Sequence, residues 1–85
     1  MNRITKIKLL GGYKIQMQFN DGSAKTLDFK QFLGKGISRE LLDENYFSKV
    51  QIESGGGLSW PNGFDFCPNF LHDFEEVNVT EQKVV

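Results

Sequence analysis

The sequence predicts an α+β fold: a small antiparallel sheet of two hairpins plus a leading strand, with short helices packed on one side. Three observations carry that prediction. Tyr13, Ile15, Met17 and Phe19 alternate strictly with Lys14, Gln16 and Gln18, the period of a half-buried strand. Turn-forming residues stand at Asn20-Asp21-Gly22-Ser23, Ser54-Gly55-Gly56-Gly57 and Pro61-Asn62-Gly63. Helix-start residues at Asp28, Ser38, Asp43 and Pro68 each lead only a few residues of helical pattern. Hairpins in sequence with short helices segregated between them define an α+β domain.

Residues 4–10, rich in Ile and Leu, form the leading strand, and Gly11-Gly12 reverses the chain into the strand at 13–19. The next turn can be assigned by register. A two-residue Asp21-Gly22 loop would set Ile15 opposite Asp28, a charge on the apolar face. A three-residue loop, Asn20-Asp21-Gly22, closed by Gly22 in a left-handed bulge, pairs Ile15 with Leu27 and Tyr13 with Phe29 instead. The three-residue loop is therefore expected.

Asp28 can then cap a short helix over 29–33 that Gly34 ends. Ser38 is expected to cap a turn over 39–42, and Asp43 another over 44–47, with Leu41, Leu42, Tyr46 and Phe47 facing the sheet. Such short pieces depend on packing. Residues 50–53 and 58–60 read as the second hairpin, joined by a flexible glycine turn. Residues 64–66 are brief and extended. Pro68 suits the first turn of a last helix, with Phe70, Leu71 and Phe74 at helical spacing towards the core. Residues 1–74 make a single domain, and 75–85 are expected to form a mobile tail.

Composition removes several function classes. Ten basic and eleven acidic residues nearly cancel, so a nucleic-acid partner is not expected, although Arg3, Lys6, Lys8 and Lys14 gather near the start. One cysteine cannot form an internal disulfide, and no apolar run serves as a signal peptide or a membrane span, so the cytoplasm is expected and a membrane is not. Gly55-Gly56-Gly57 lacks the Lys-Ser or Lys-Thr that completes a phosphate loop. Cys67, His72 and Asp73 fit no metal spacing and no nucleophile–base pair; a half-buried thiol and a helix-end histidine are expected. No residue is assigned to catalysis, to a cofactor or to a metal.

The stretch Trp60-Pro61-Asn62-Gly63-Phe64-Asp65-Phe66 holds the only Trp, a turn signal and a carboxylate between two aromatics. Trp60 is expected to be partly buried with one edge open to a partner. Asn62 either recognises a peptide amide or completes the turn. Asp65 is expected to point inward and accept hydrogen bonds from turn amides; beside aromatic surface it could instead act as an acid or base.

The strand ending Phe19-Asn20-Asp21-Gly22, the following Leu27-Asp28, the run Asp43-Glu44-Asn45-Tyr46-Phe47 and, above all, Trp60-Pro61-Asn62-Gly63-Phe64-Asp65 resemble a small bacterial family, the domain of unknown function numbered twenty-four forty-two. The resemblance spans about residues 4–73. It implies a small α+β module, stand-alone or fused, without established catalysis. It also implies a gene set beside a second short gene, a pairing suggestive of toxin and antitoxin. The family form continues with an aliphatic residue, an acid and a proline; here Phe66-Cys67-Pro68 keeps the proline and puts Cys67 in place of the acid.

The expected function is a non-enzymatic interaction module that docks a protein partner, the product of an adjacent gene, through Trp60, Asn62, Phe64 and Asp65. Eight Phe, two Tyr and one Trp in 85 residues exceed what so small a core can hide, and leftover apolar surface marks interaction sites. The alternatives are a homodimer without other activity, a small-ligand or accessory enzyme site centred on Asp65, and weak nucleic-acid binding by the early basic residues.

Overall fold

The computed structural model describes residues 1–75. The leading strand β1 (Ile4–Leu9) pairs antiparallel with β2 (Lys14–Phe19), and β2 with β3 (Ala24–Asp28), in the order β1-β2-β3. The turn between β2 and β3 is the three-residue loop that the register argument requires. Ile15 stands opposite Leu27, the Phe19 N–H donates to the Ser23 carbonyl at 2.9 Å, and Gly22 closes the loop at φ 90°. The Phe29 N–H extends the ladder to the Tyr13 carbonyl at 2.8 Å. Ile15, Met17, Phe19 and Leu27 are buried, whereas Lys14, Gln16 and Gln18 face solvent.

A 3-10 helix, Phe29–Phe32, follows directly, and the Asp28 carboxylate caps it by accepting the Lys30 N–H at 3.0 Å. The second 3-10 helix, Gly36–Leu42, starts earlier than expected. Gly36, at φ 56°, turns the chain before Ser38 is reached, so Ser38 lies buried inside the helix and not at its cap. The Ser38 hydroxyl bonds back, donating to the Lys35 carbonyl at 2.6 Å and accepting the Lys35 N–H at 3.2 Å. Asp43 caps helix α1 (Glu44–Phe47) as expected, accepting the Asn45 N–H at 3.0 Å. Phe29, Leu41 and Phe47 anchor these short pieces in the core, and each such burial contributes roughly 1.5–3 kcal/mol. Leu42, expected to face the sheet, is 39 % exposed.

The remaining strands form a second antiparallel sheet, β4 (Gln51–Ile52), β5 (Leu58–Ser59) and β6 (Asp65–Phe66), in that order. The strand content thus falls into two sheets of three, because the segment at 64–66 pairs with β5 and adds a strand. The sheets meet where the Ile4 N–H donates to the Gly56 carbonyl at 2.8 Å. The expected flexible glycine turn is partly a tight crossing. A Cβ on Gly57 would lie 2.2 Å from the Phe66 carbonyl oxygen, and one on Gly56 would lie 2.8 Å from the Arg3 Cα.

Pro68 opens helix α2 (Pro68–Asp73). Leu71 is buried and Phe74 half-buried, but Phe70, expected inward, is 44 % exposed. Beyond residue 75, the expected tail lies outside the described residues.

Candidate functional site

The loop at 60–64 is built like the loop at 19–23. The Trp60 N–H donates to the Phe64 carbonyl at 2.9 Å, the Gly63 N–H to the Trp60 carbonyl at 3.0 Å, and Gly63 takes φ 95°. This is again a three-residue loop with glycine in the left-handed position. The Asn62 side chain does the work expected of Asp65. Its Oδ1 accepts the Phe64 N–H at 3.0 Å, and its Nδ2 donates to the Ile37 carbonyl at 2.9 Å and to Glu40 Oε1 at 2.8 Å. The loop is thereby fixed both to itself and to the 3-10 helix Gly36–Leu42.

Two expectations are corrected here. Trp60 has no open edge: it is 2 % exposed, and its indole N–H donates to the Phe47 carbonyl at 2.9 Å. The rings of Phe47, Phe64 and Phe66 stand 5.6, 5.8 and 5.9 Å from it. Its polar tip is satisfied internally, which lets the whole side chain enter the core. Asp65 does not point inward. It lies exposed on the face of β6 opposite Phe64 and Phe66, and no hydrogen bond or ion pair reaches its carboxylate among the described residues.

Over the buried Trp60 and Phe29 runs a continuous ridge of half-open rings. Phe64 meets Phe66 at 5.2 Å, Phe66 meets Phe32 at 5.2 Å, and Phe32 meets Phe74 at 5.1 Å. Phe70 lies nearly parallel to Phe66, 14° between planes at 6.1 Å, and 5.5 Å from Phe74. The excess of phenylalanine announced such a surface, but only the fold brings residues 32, 64, 66, 70 and 74 into one contiguous cluster.

On the other face of β6 lies a shallow hollow of about 210 Å³, lined by Glu53, Gly57, Asp65, Cys67 and Pro68 among others. It exists because Gly57 carries no side chain there. The Cys67 thiol, expected half-buried, is exposed at its rim. Neither the Glu53 nor the Asp65 carboxylate has a partner among the described residues.

Two side chains that sequence reasoning did not single out tie α2 to the first sheet. Lys25, at the inward position opposite Met17, donates from Nζ to the carbonyls of Leu71 at 3.1 Å and His72 at 2.6 Å, and to that of Phe74. A cation at the carbonyl end of a helix satisfies groups with no partner within it. A lysine in the inward row with Leu27 was the signal. Asp21 is the second: its Oδ1 accepts the Ser23 N–H and hydroxyl, and its Oδ2 meets His72 Nε2 at 2.9 Å. Asp73 meets the other ring nitrogen at 3.0 Å. The hydrogen bond to Asp73, then that to Asp21, raise the His72 pKa above its ordinary value, partly opposed by desolvation. The Ser23 hydroxyl and N–H, and then His72, hold Asp21 well below the usual carboxylate range. Cys67 is not part of this cluster.

Of the early basic residues, Lys6, Lys8 and Lys14 share the outer face of the first sheet with Gln16 and Gln18. Arg3 lies apart, donating from Nη2 to the Ser54 carbonyl at 3.0 Å. No helix among the described residues is long and apolar enough to cross a membrane.

Two three-stranded antiparallel sheets bridged by short helices, with an aromatic ridge along one border, define a small α+β module. Residues 4–75 match the family described as Protein of unknown function (DUF2442), and the chain belongs to that family. No curated protein and no solved structure matches it.

Proposed function

We propose that this domain is a non-enzymatic interaction module that docks a protein partner on the phenylalanine ridge. The partner we propose is the product of an adjacent gene, with this chain as the antitoxin-like member of the pair. The supporting observation is the ridge itself: of the eight Phe side chains, Phe19, Phe29 and Phe47 are buried, and the other five form one contiguous cluster of part-exposed rings. Contiguous aromatic surface of this kind is the usual material of interface anchors. Phe64 contributes to the ridge, and Trp60 and Asn62 position it from behind and beside without touching the partner. The adjacent-gene pairing rests on the gene arrangement that the family resemblance implies.

The test is co-purification and titration with the adjacent gene's product. Phe70→Ser removes the most exposed ring while Leu71 keeps α2 in the core, so the variant is expected to fold and to bind about tenfold or more weakly. Lys8→Ala, on the far face of the first sheet, is expected to bind like wild type. Equal affinity of Phe70→Ser and wild type would place the docking surface elsewhere. A wild-type protein that does not bind that product would overturn the pairing.

A further inference from the structure

Strand β6 is the last strand of its sheet, bordered by the aromatic ridge on one face and by the acidic hollow on the other. The Trp60–Phe64 hydrogen bond fixes which backbone groups face outward. Antiparallel ladders alternate bonded and non-bonded pairs, so Leu58–Phe66 is the next bonded pair and Ser59–Asp65 is not. The N–H and C=O of Asp65 therefore point away from β5, towards the open side, as does the N–H of Cys67. Pro61 and Pro68 bracket this short edge.

We propose that β6 is a strand-addition edge, and that the partner docks there as an extended segment alternating apolar with basic residues. The proposal rests on the interaction-module reading and names the partner's form and chemistry. Both faces of the edge argue for it. An added strand lays alternate side chains on opposite faces of the sheet. On one face its apolar side chains meet Phe64, Phe66 and Phe70. On the other its basic side chains meet Glu53 and Asp65, two carboxylates without a partner among the described residues, flanking a hollow of about 210 Å³ that accepts a lysine or arginine side chain. The missing side chain at Gly57 gives that side chain its room, and the Cβ clash with the Phe66 carbonyl keeps the position a glycine. The other outer edge of this sheet, β4, lies beside β1.

The test uses the whole chain labelled with nitrogen-15 and three short capped peptides: one alternating lysine with isoleucine, one alternating glutamate with isoleucine, and one with the lysines and isoleucines in separate blocks. The alternating lysine peptide is expected to shift the amide signals of Asp65, Phe66 and Cys67, and to slow hydrogen exchange at Asp65 and Cys67. The glutamate peptide is expected to bind about tenfold more weakly, and Glu53→Gln with Asp65→Asn to remove that difference. Shifts centred on β1 or β3, equal binding of all three peptides, or a β6-mediated dimer that the lysine peptide does not dissociate would each overturn the proposal. If Phe70→Ser weakens the adjacent gene's product while the lysine peptide leaves Asp65 unmoved, strand addition falls and the docking ridge stands. If both results are negative, both readings fall.

Discussion

The two hairpin loops, 19–23 and 60–64, share one backbone design and put it to different uses. In each, an aromatic residue closes the strand, a polar Asx residue stands two places on, and a glycine takes the left-handed conformation, φ 90° at Gly22 and 95° at Gly63. In each, the Asx Oδ1 accepts the N–H two residues ahead. The second polar atom makes the difference. Asp21 turns its other oxygen to His72 across solvent-accessible space, with side-chain exposures of 48 % and 26 %. Asn62 turns its amide to Ile37 and Glu40, beside the buried Trp60. One loop is an ionic clasp on the surface, and the other is a neutral staple at the edge of the core. The choice of Asp or Asn follows from what faces it. A carboxylate suits an imidazolium, whereas a carbonyl and a glutamate need a donor.

Trp60 is where the comparison predicts the largest effect. Trp60→Ala removes an anchor of the aromatic core and strands the Phe47 carbonyl, and is expected to cost about 4 kcal/mol in urea unfolding. Trp60→Phe keeps most of the apolar volume and is expected to lose about half as much. A Trp60→Ala protein of near wild-type stability would mean that the indole is not the pillar of the second loop.

Asn62 comes next. Asn62→Ala deletes a loop bond and two bonds to the 3-10 helix Gly36–Leu42, an expected loss of about 2 kcal/mol. Asn62→Asp is expected to be at least as damaging: it keeps the acceptor for Phe64 but sets a carboxylate against the Ile37 carbonyl and Glu40. At the matching position, Asp21→Asn keeps the acceptor for Ser23 and is expected to be mild near neutral pH. Equal losses for Asn62→Asp and Asp21→Asn would erase the distinction between staple and clasp.

Sequence reasoning reached the parts governed by neighbours along the chain. The register of Ile15 with Leu27, the caps at Asp28 and Asp43, and the start of α2 at Pro68 all rest on chemistry within a few residues or on one hairpin. It missed what distant segments decide. Trp60 is buried because the Phe47 carbonyl, thirteen residues back, receives its N–H. Asp65 faces outward because β6 joins β5, a pairing that sets the alternation of Phe64, Asp65 and Phe66. The Gly57 crossing depends on Phe66, and the Asp21–His72 clasp spans 51 residues. Asn62 and Asp65 were both candidates to hold the second loop. The first loop could have decided between them, since Asp21 occupies the position of Asn62, not that of Asp65.

The smallest effect belongs to the surface clasp, and pH reveals it. His72 has its pKa raised in the folded protein by Asp73 and Asp21, against an ordinary value of about 6.5 when unfolded. A raised folded pKa gives stability that is fully present below the unfolded value and lost as pH rises through the folded one. Asp21 has the opposite sign: its depressed pKa gives stability present above the ordinary carboxylate range and lost as acid protonates it. The clasp is therefore strongest in mildly acidic solution, where His72 is charged and Asp21 ionised. Three groups besides Asp21 face or adjoin the ring. Asp73 supports the charge, the Phe19 ring packs edge-on at 4.9 Å, and the Lys25 ammonium on the His72 carbonyl opposes it. The stability difference between wild type and His72→Gln is expected to be largest near about pH 5.5, to shrink towards about pH 8.5, and to shrink again with added salt. Asp21→Asn is expected to flatten the same profile, whereas Asn62→Ala is expected to lower stability by a similar amount at both pH values. Thermal unfolding of the three variants at the two pH values separates the loops. A pH-independent His72→Gln difference would show that the contact at 2.9 Å carries no charge, and the two loops would then differ only in burial.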